Sequence, residues 1–359
     1  MDKIVENLLY WGENKPKEPV QVQFHLTNFC NLDCSFCPTK IFVKDLDKKN
    51  ELSIEDWLKV IEDGNKLGVK EWHLCGGGEP LFFYERAKKI MLKIKEDGKY
   101  GDLITNGTLF KEDFIKELVE AEWDRITFSL DGPALVNDKI RGPGVFEKVV
   151  ENIKLFSYWK KKLKSENPRL CIHVVVCNLN MKYIPDMVKL AKKLNCQELV
   201  INALNLWSED VKKLKVESKE LKKYLEEALI LAKKLNVETN IADFIHFDLF
   251  EKANRMDESL IDESKDTKKS NFLSMPCFRP WYSMVIFPDG RVLPCFEFSD
   301  EGESLRKKSL KEIWFGDYFK KIREGIKEKK LSSSCSKCNS WNFPKVKEIR
   351  NELEKYLNT

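Results

Sequence analysis

The sequence predicts an α/β fold whose parallel sheet curves into a partial (β/α)6 barrel. Apolar runs typical of strands alternate with segments of helical periodicity between residues 18 and 245. Such alternation is typical of parallel sheets, and six strand-and-helix units favour a partial barrel over a flat, doubly wound sheet. In barrels the chemistry gathers at the C-terminal ends of the strands, so polar motifs at those ends are candidate site residues.

The individual elements follow from local patterns. The first predicted strand covers residues 20–27, where apolar and polar side chains alternate. A helix opens at Ser53, a residue typical of N-caps, and ends at Gly68, a residue typical of helix C-termini. Further strands are predicted at residues 69–75, 103–105, 125–129, 170–177, 198–202 and 237–241.

The chain of 359 residues is long enough for one large domain and a smaller one. Residues 208–275 are charged and mostly helical in pattern, and residues 257–270 are polar enough to form a linker. The predicted parts are an N-terminal helical extension (1–17), the barrel (18–245), a helical or linker segment (246–275), a small cysteine-containing domain (276–342) and a C-terminal helix (343–359).

The charge and cysteine content limit the function classes. The 62 basic and 58 acidic residues are interspersed and give a net charge of +4, which provides no argument for nucleic acid binding. The N-terminus lacks a secretory pattern and no apolar run is long enough for a membrane span, so we expect a cytoplasmic protein. In a reducing compartment the 11 cysteines are metal ligands or free thiols rather than disulfides.

A short loop after the first predicted strand carries three of these cysteines, Cys30, Cys34 and Cys37. A cubane iron–sulfur cluster or a tetrahedral zinc ion needs four ligands, and the next cysteine, Cys75, lies a whole strand and helix away. The loop therefore predicts a cluster with one iron open to a ligand that is not protein. A zinc loop or buried structural thiols are the alternatives.

The spacing Cys-x-x-x-Cys-x-x-Cys, with Phe36 before the last cysteine, resembles the signature of the radical S-adenosylmethionine (SAM) enzymes. Gly77, Gly78, Glu79 and Pro80 resemble the family's Gly-Gly-Glu-Pro motif. The resemblance implies that SAM chelates the open iron of a [4Fe–4S] cluster and is cleaved to a 5′-deoxyadenosyl radical under anaerobic conditions. It also implies that the glycines approach the ligand and that Glu79 meets its amino group.

Further positions resemble SAM contacts of the subgroup that carries a C-terminal cluster domain. These are Asn106 in Thr-Asn-Gly, Ser129 in Ser-Leu-Asp-Gly-Pro, and Arg141 in an Asp-x-x-Arg motif that starts at Asp138. We expect Arg141 to pair with the SAM carboxylate and Phe36 to pack near the adenine. A surface arginine and a core-filling aromatic are the alternative interpretations of these two residues.

The C-terminal region contains a second group of cysteines, Cys277, Cys295, Cys335 and Cys338. Residues 281–294 have the pattern of a hairpin with a tight glycine turn, which would return Cys295 to the neighbourhood of Cys277. A capping box at Ser309 opens a helix that leads the chain back towards the last two cysteines. Four thiolates suffice to close one cluster.

Residues 276–340 resemble the Twitch domain, the shortened form of the SPASM domain that follows radical SAM barrels. The resemblance implies an auxiliary [4Fe–4S] cluster held by these four cysteines, without the longer cysteine run of a second auxiliary cluster. A structural zinc ion is the alternative, because the terminal Cys-x-x-Cys also fits zinc.

The resemblance predicts a radical SAM oxidoreductase with a low-potential donor such as ferredoxin or flavodoxin. We expect it to oxidise an unactivated C–H position of a small organic substrate, with the fully ligated auxiliary cluster as electron acceptor. The alternatives are a peptide-modifying maturase, disfavoured here by only 17 residues before the first strand, and a redox-neutral epimerase with Cys177 as hydrogen donor. An iron–sulfur electron carrier or binding module is the non-enzyme alternative.

Overall fold

The computed structural model of the chain describes residues 2–39, 50–247, 273, 275–296, 298, 301–333, 335 and 342–357. The predicted linker at 257–270 and the predicted ligand Cys338 lie outside these ranges. The chain forms two compact units. The first unit combines Met1–Phe24, Lys49–Trp72 and Asn254–Thr359, and the second combines His25–Lys48 and His73–Ala253.

Strands and helices alternate along the chain, as the sequence predicts. The strands are β1 Gln21–Phe24, β2 Glu71–Leu74, β3 Tyr100–Thr105, β4 Arg125–Ser129, β5 Arg169–Val176, β6 Glu198–Ala203, β7 Glu238–Thr239, β8 Ser283–Ile286, β9 Arg291–Leu293 and β10 Glu303–Ser304. The helices are α1 Lys3–Gly12, α2 Ile54–Leu67, α3 Tyr84–Glu96, α4 Glu112–Glu120, α5 Ala134–Arg141, α6 Val145–Leu163, α7 Ile184–Lys193, α8 Glu209–Lys212, α9 Ser218–Leu235, α10 Ile241–Phe247, α11 Leu310–Phe315, α12 Asp317–Lys327 and α13 Asn342–Leu357. Short 3-10 helices cover Pro80–Phe83, Met181–Tyr183 and Arg279–Trp281.

The first unit contains β10, β9, β8, β1 and the start of β2, in this spatial order. β8 runs parallel to β1, with Gln21 opposite Ser283, while β8 and β9 are antiparallel, with Val285 opposite Leu293. The predicted C-terminal hairpin is therefore confirmed. Because its two strands are antiparallel, the chain leaves the hairpin at the end where it entered.

Helix α2 packs against the strands of the first unit, and its ends follow the sequence signals. Ser53 and Asp56 form a reciprocal capping box at the start, and Gly68 ends the helix in the left-handed region with φ of 115°. Trp57 of this helix packs on Phe24 of β1, with ring centroids 5.2 Å apart. Both rings are fully buried, so the amphipathic face of α2 forms part of the core of this unit.

The second unit contains parallel strands in the order β3, β4, β5, β6, β7. At their N-terminal ends, Arg125 pairs with Asp102 at 3.1 Å and with Glu198 at 3.0 Å. At the C-terminal ends lie the polar motifs that the sequence singles out, including Asn106 after β3 and Ser129 at the end of β4. The predicted α/β class with a parallel sheet is confirmed.

Two features differ in detail from the sequence patterns. β1 ends at Phe24 and does not continue through residue 27, because the Thr27 carbonyl accepts from the Gly78 N–H at 2.8 Å in a non-strand contact. The sequence pattern puts Phe110, Phe114 and Leu118 in register on one helix, but α4 begins at Glu112 and Phe110 packs on the core from the preceding turn. Within the described residues, the helices include none that is long and apolar enough to cross a membrane.

Gly64 provides a test of the packing in the first unit. A Cβ at this helical position would lie 2.5 Å from the Trp72 ring. Alanine would gain about 1 kcal/mol of helix propensity, but overpacking costs about 1–3 kcal/mol. We expect Gly64→Ala to lower the free energy of unfolding, measured by urea denaturation, whereas Lys59→Ala on the exposed face of the same helix leaves it nearly unchanged. Greater stability of the Gly64 variant would contradict this packing.

Candidate functional site

The three N-terminal cysteines lie on one loop that follows β1. Cys34 is buried, Cys37 is half-buried and Cys30 is exposed, so the loop presents thiols from the interior to the surface. The Leu32 N–H donates to the Cys30 sulfur at 3.4 Å. The loop therefore turns tightly around its first cysteine.

Backbone and side-chain hydrogen bonds fasten this loop to other elements of the second unit. The Ser35 N–H donates to the Ile140 carbonyl at 2.9 Å, and the Trp207 indole N–H donates to the Phe36 carbonyl at 2.9 Å. The Thr39 hydroxyl donates to the Gly77 carbonyl at 2.7 Å. The loop is thus held by α5, by the segment after β6 and by the turn after β2.

The glycine run after β2 packs directly against the start of the cysteine loop. The Gly78 N–H donates to the Thr27 carbonyl and the Glu79 N–H to the Phe29 carbonyl, both at 2.8 Å. A Cβ on Gly78 would lie 1.9 Å from the Phe29 oxygen, and one on Gly77 would lie 2.6 Å from the Thr27 oxygen. Glycine is therefore required for the close approach of these two backbone segments.

The Glu79 carboxylate is buried and bonded to the protein itself. Its Oε1 accepts from the Thr105 hydroxyl at 2.6 Å and from the Leu81 N–H at 3.1 Å, and its Oε2 accepts from the Asn106 N–H at 2.7 Å. Burial raises the pKa of Glu79, while these donors oppose that shift. The carboxylate thereby ties the turn after β2 to the end of β3.

The Asn106 side chain, at the end of β3, reaches back to the cysteine loop. Its Nδ2 donates to the Asn31 Oδ1 at 2.9 Å and lies 3.9 Å from the Cys30 sulfur. Its Oδ1 accepts from the Thr108 N–H at 3.0 Å and from the Thr108 hydroxyl at 2.7 Å. Asn106 therefore aims an N–H group at one of the predicted ligand sulfurs.

Arg141 at the end of α5 is buried, which excludes the interpretation as a surface arginine. Its Nε lies 2.6 Å from Oδ2 of the fully buried Asp131, and its Nη1 lies 3.9 Å from the Cys34 sulfur. Asp131 also accepts from the Val175 N–H at 2.8 Å. The guanidinium is thus oriented by a carboxylate at the end of β4 and points a donor at a second cysteine sulfur.

The remaining predicted contacts lie around this arrangement. Phe36 is buried in an apolar cluster with Ile140 and Cys177, and the Arg141 guanidinium lies 5.9 Å from the centre of its ring. Ser129 is buried at the C-terminal end of β4. Cys177 is fully buried, and burial raises its pKa to about 11, so the structure places this thiol in the core.

The donor set of the loop fits an iron–sulfur cluster. Burial raises the pKa of the Cys34 thiol to about 11, so the thiol is protonated at neutral pH in the absence of metal. Binding of iron would release this proton, because the thiolate is the form that binds. Among the described residues no three His, Cys, Asp or Glu side chains converge to hold a single metal ion. In a cubane cluster each thiolate binds a different iron, so three thiols on one loop, with N–H groups of Asn106 and Arg141 each 3.9 Å from a sulfur, suit a cluster.

Three of the four C-terminal cysteines are described, and all three are half-buried. Cys277 precedes β8 and Cys295 follows β9, so the antiparallel hairpin brings their backbones to the same end. The Arg279 N–H donates to the Cys277 sulfur at 3.4 Å. Cys335 follows α12 in the same unit. These thiols fit the predicted auxiliary cluster, and Cys338 lies outside the described part of the chain.

The sequence patterns did not predict the side chains that orient the predicted SAM-contact residues. Asp131 holds Arg141, Thr105 binds Glu79, and Asn31 and Thr108 bind Asn106. Asp131 stood in the noted motif Ser-Leu-Asp-Gly-Pro and Thr105 in Thr-Asn-Gly, but neither residue was assigned a role there. Asn31 and Thr108 are small polar residues of loops, for which the sequence carries no distinguishing signal.

Two family models match the chain. Residues 24–191 match the radical SAM superfamily, and residues 277–339 match the SPASM iron–sulfur cluster-binding domain. A tungsten-containing aldehyde ferredoxin oxidoreductase cofactor-modifying protein from Pyrococcus furiosus is 25% identical over 88% of this chain and 85% of its own. A PqqA peptide cyclase from Rhizobium meliloti is 24% identical over 83% of this chain and 74% of its own.

Solved structures share the fold. Streptococcus suis SuiB bound to S-adenosylmethionine superposes with a TM-score of 0.66 at 16% identity, covering 89% of this chain and 71% of SuiB. The anSMEcpe enzyme with bound AdoMet gives a TM-score of 0.62 at 18% identity, covering 93% of this chain and 100% of that structure. At such low identity the likeness concerns the fold alone.

The buried Glu79 carboxylate yields a prediction about stability. Glu79→Ala leaves three donors without their acceptor, and each such loss costs about 1–3 kcal/mol. We expect the free energy of unfolding of the metal-free protein to fall by about 3 kcal/mol or more, as measured by urea denaturation. Glu85→Ala, on the exposed side of α3, is the matched control and should have almost no effect. Equal stability of both variants would show that the Glu79 contacts do not hold the site together.

Proposed function

The chain belongs to the radical SAM superfamily and carries a SPASM-type iron–sulfur domain, and we propose that Cys30, Cys34 and Cys37 bind the SAM-cleaving cluster. Its cofactors are accordingly SAM, a SAM-binding [4Fe–4S] cluster and an auxiliary cluster. The observation that carries the assignment is the three-thiol loop with N–H groups of Asn106 and Arg141 each 3.9 Å from a sulfur. Such donors stabilise thiolate charge around a cluster.

When bound, the cluster and SAM supply a 5′-deoxyadenosyl radical that removes a hydrogen atom from the substrate. The role of the protein is to hold and orient the cluster, SAM and the substrate. Gly77 and Gly78 keep the cysteine loop against the turn after β2, and Glu79 fixes that turn to β3. We propose that the backbone of this turn and the Glu79 carboxylate contact the amino group of SAM.

The other proposed SAM contacts surround the same loop. Arg141, oriented by Asp131, supplies the positive charge for the SAM carboxylate beside Cys34. Ser129 lies at the end of the adjacent strand β4, and Phe36 borders the guanidinium. With these roles, the cationic side of the proposed SAM site would lie at α5 and the acidic side at the turn after β2, where Glu79 binds the end of β3.

Cys277, Cys295, Cys335 and Cys338 are the proposed ligands of the auxiliary cluster. With four thiolates it has no open iron, so electron transfer is the role that its ligation favours. An oxidised product would result if this cluster takes up the electron that hydrogen abstraction leaves on the substrate. The external reductant that this scheme requires is a low-potential protein such as ferredoxin or flavodoxin.

We propose a peptide as the substrate class. The support is the likeness to a PqqA peptide cyclase, which extends over 83% of this chain. The buried position of Cys177 in an apolar cluster disfavours it as a hydrogen donor, so the proposal is oxidation or cross-linking of the peptide instead of epimerisation.

A small-molecule C–H oxidation is the second candidate. The observation that favours it is the likeness to a cofactor-modifying protein that covers 88% of this chain. Both candidates use the same cluster ligands and differ only in what enters the site.

Iron content tests the ligand assignment. After anaerobic reconstitution we expect about eight irons per chain, because two cubane clusters contain four each. The triple variant Cys30→Ala, Cys34→Ala, Cys37→Ala should retain about half, and Cys196→Ala, a buried cysteine outside both groups, should retain all. Stoichiometric zinc in the triple variant would contradict the auxiliary cluster and would show that the C-terminal cysteines hold a structural zinc ion.

The substrate class is tested by the formation of 5′-deoxyadenosine. The reconstituted enzyme is incubated anaerobically with SAM, dithionite and size-fractionated cell extract, and the nucleoside is quantified by chromatography. We expect one fraction to increase its formation, and treatment of that fraction with a protease that is then inactivated should abolish the increase. An increase that survives protease digestion would favour the small-molecule candidate. The triple cysteine variant is the control and should form none.

A further inference from the structure

The first unit contains a buried arginine, Arg323, to which the proposed function assigns no role. Arg323 on α12 is 6% exposed. Its guanidinium carbon lies 4.4 Å from the ring centre of Trp314, 4.6 Å from that of Trp11 and 5.3 Å from that of Phe319. Arg323 therefore sits in an aromatic cage within the core of this unit.

The hydrogen bonds of Arg323 lead to the segment that carries Cys277. Its Nε donates to the Pro280 carbonyl at 2.9 Å, and its Nη1 donates to the Trp314 carbonyl at 2.9 Å. Pro280 belongs to the 3-10 turn Arg279–Trp281, whose first N–H donates to the Cys277 sulfur at 3.4 Å. A single guanidinium thus fastens the turn that presents this cysteine.

The charge of Arg323 is not balanced by its surroundings. In the described part of the chain no carboxylate forms an ion pair with it, and its Nη2 has no hydrogen-bond partner. Burial lowers its pKa to about 9, which leaves the guanidinium protonated at neutral pH. A buried, unpaired cation is costly, so an anionic group nearby would be stabilised by it.

We infer that Arg323 is a positioning residue of the auxiliary cluster: it fixes the turn that holds Cys277, and its buried positive charge favours the reduced form of that cluster. This rests on the proposed function, in which the four C-terminal cysteines bind a cluster that takes up an electron. Reduction adds negative charge to the cluster. A buried cation, whose charge is only weakly screened by solvent, stabilises this more negative state. Arg323 therefore makes the auxiliary cluster a better electron acceptor.

The test uses the full chain in the triple background Cys30→Ala, Cys34→Ala, Cys37→Ala, so that the auxiliary cluster alone gives a signal. Iron content, circular dichroism and the midpoint potential from a redox titration are measured for Arg323→Met and Arg323→Lys. Arg306→Met is the matched control, because it removes an exposed arginine of the same unit. If the triple variant with Arg323 unchanged holds no iron, the proposed auxiliary cluster itself is wrong, a result that can be distinguished from a failure of the role of Arg323.

We expect Arg323→Met to lower the midpoint potential by more than 59 mV, the shift for a tenfold change in a one-electron equilibrium. Arg323→Lys, which keeps the charge, and the Arg306→Met control should stay within that limit. If Arg323→Met does not fold, Arg323→Gln, which keeps an N–H donor without the charge, takes its place with the same expectation. A neutral variant that folds and keeps both iron and potential would overturn the inference, as would a lowered potential in Arg323→Lys.

Discussion

The close approach of Gly78 to Phe29 is the constraint on which the N-terminal site depends. A side chain at Gly78 would place its first carbon 1.9 Å from the Phe29 oxygen, so only glycine allows the two backbones to share hydrogen bonds. That contact brings Glu79 to the buried position where Asn106 binds it. The position of the start of the cysteine loop therefore depends on the turn after the neighbouring strand β2.

The loop itself has little regular secondary structure, and its rigidity is supplied from outside. Asn106 holds it from the end of β3, and Arg141 reaches Cys34 from α5 while Asp131 at the end of β4 fixes the guanidinium. Side chains whose rotamers are locked by such partners hold a site within narrow limits. Residues at the ends of β3 and β4 thereby help to position the thiols of the loop.

The sequence predicts the elements whose signals are local, and it misses the partners that tertiary packing brings together. Ser53 and Gly68 mark the ends of α2 because capping residues act within a few positions. In contrast, Asn106 and Asn31 are 75 residues apart, and Arg141 and Cys34 are 107 residues apart. A resemblance identifies such residues as important, but only the structure shows that they bind the cysteine loop.

The two cysteine regions use the same local turn with different electrostatics. In each, the residue two positions after the first cysteine donates its N–H to that sulfur at 3.4 Å, Leu32 in one and Arg279 in the other. Arg141 in the first region forms an ion pair with Asp131, whereas Arg323 in the second region forms no ion pair with a described carboxylate. A cluster that must reduce SAM needs a low potential, and an acceptor needs a higher one. Pairing one buried arginine and leaving the other unpaired would separate the two potentials in the direction that the proposed chemistry requires.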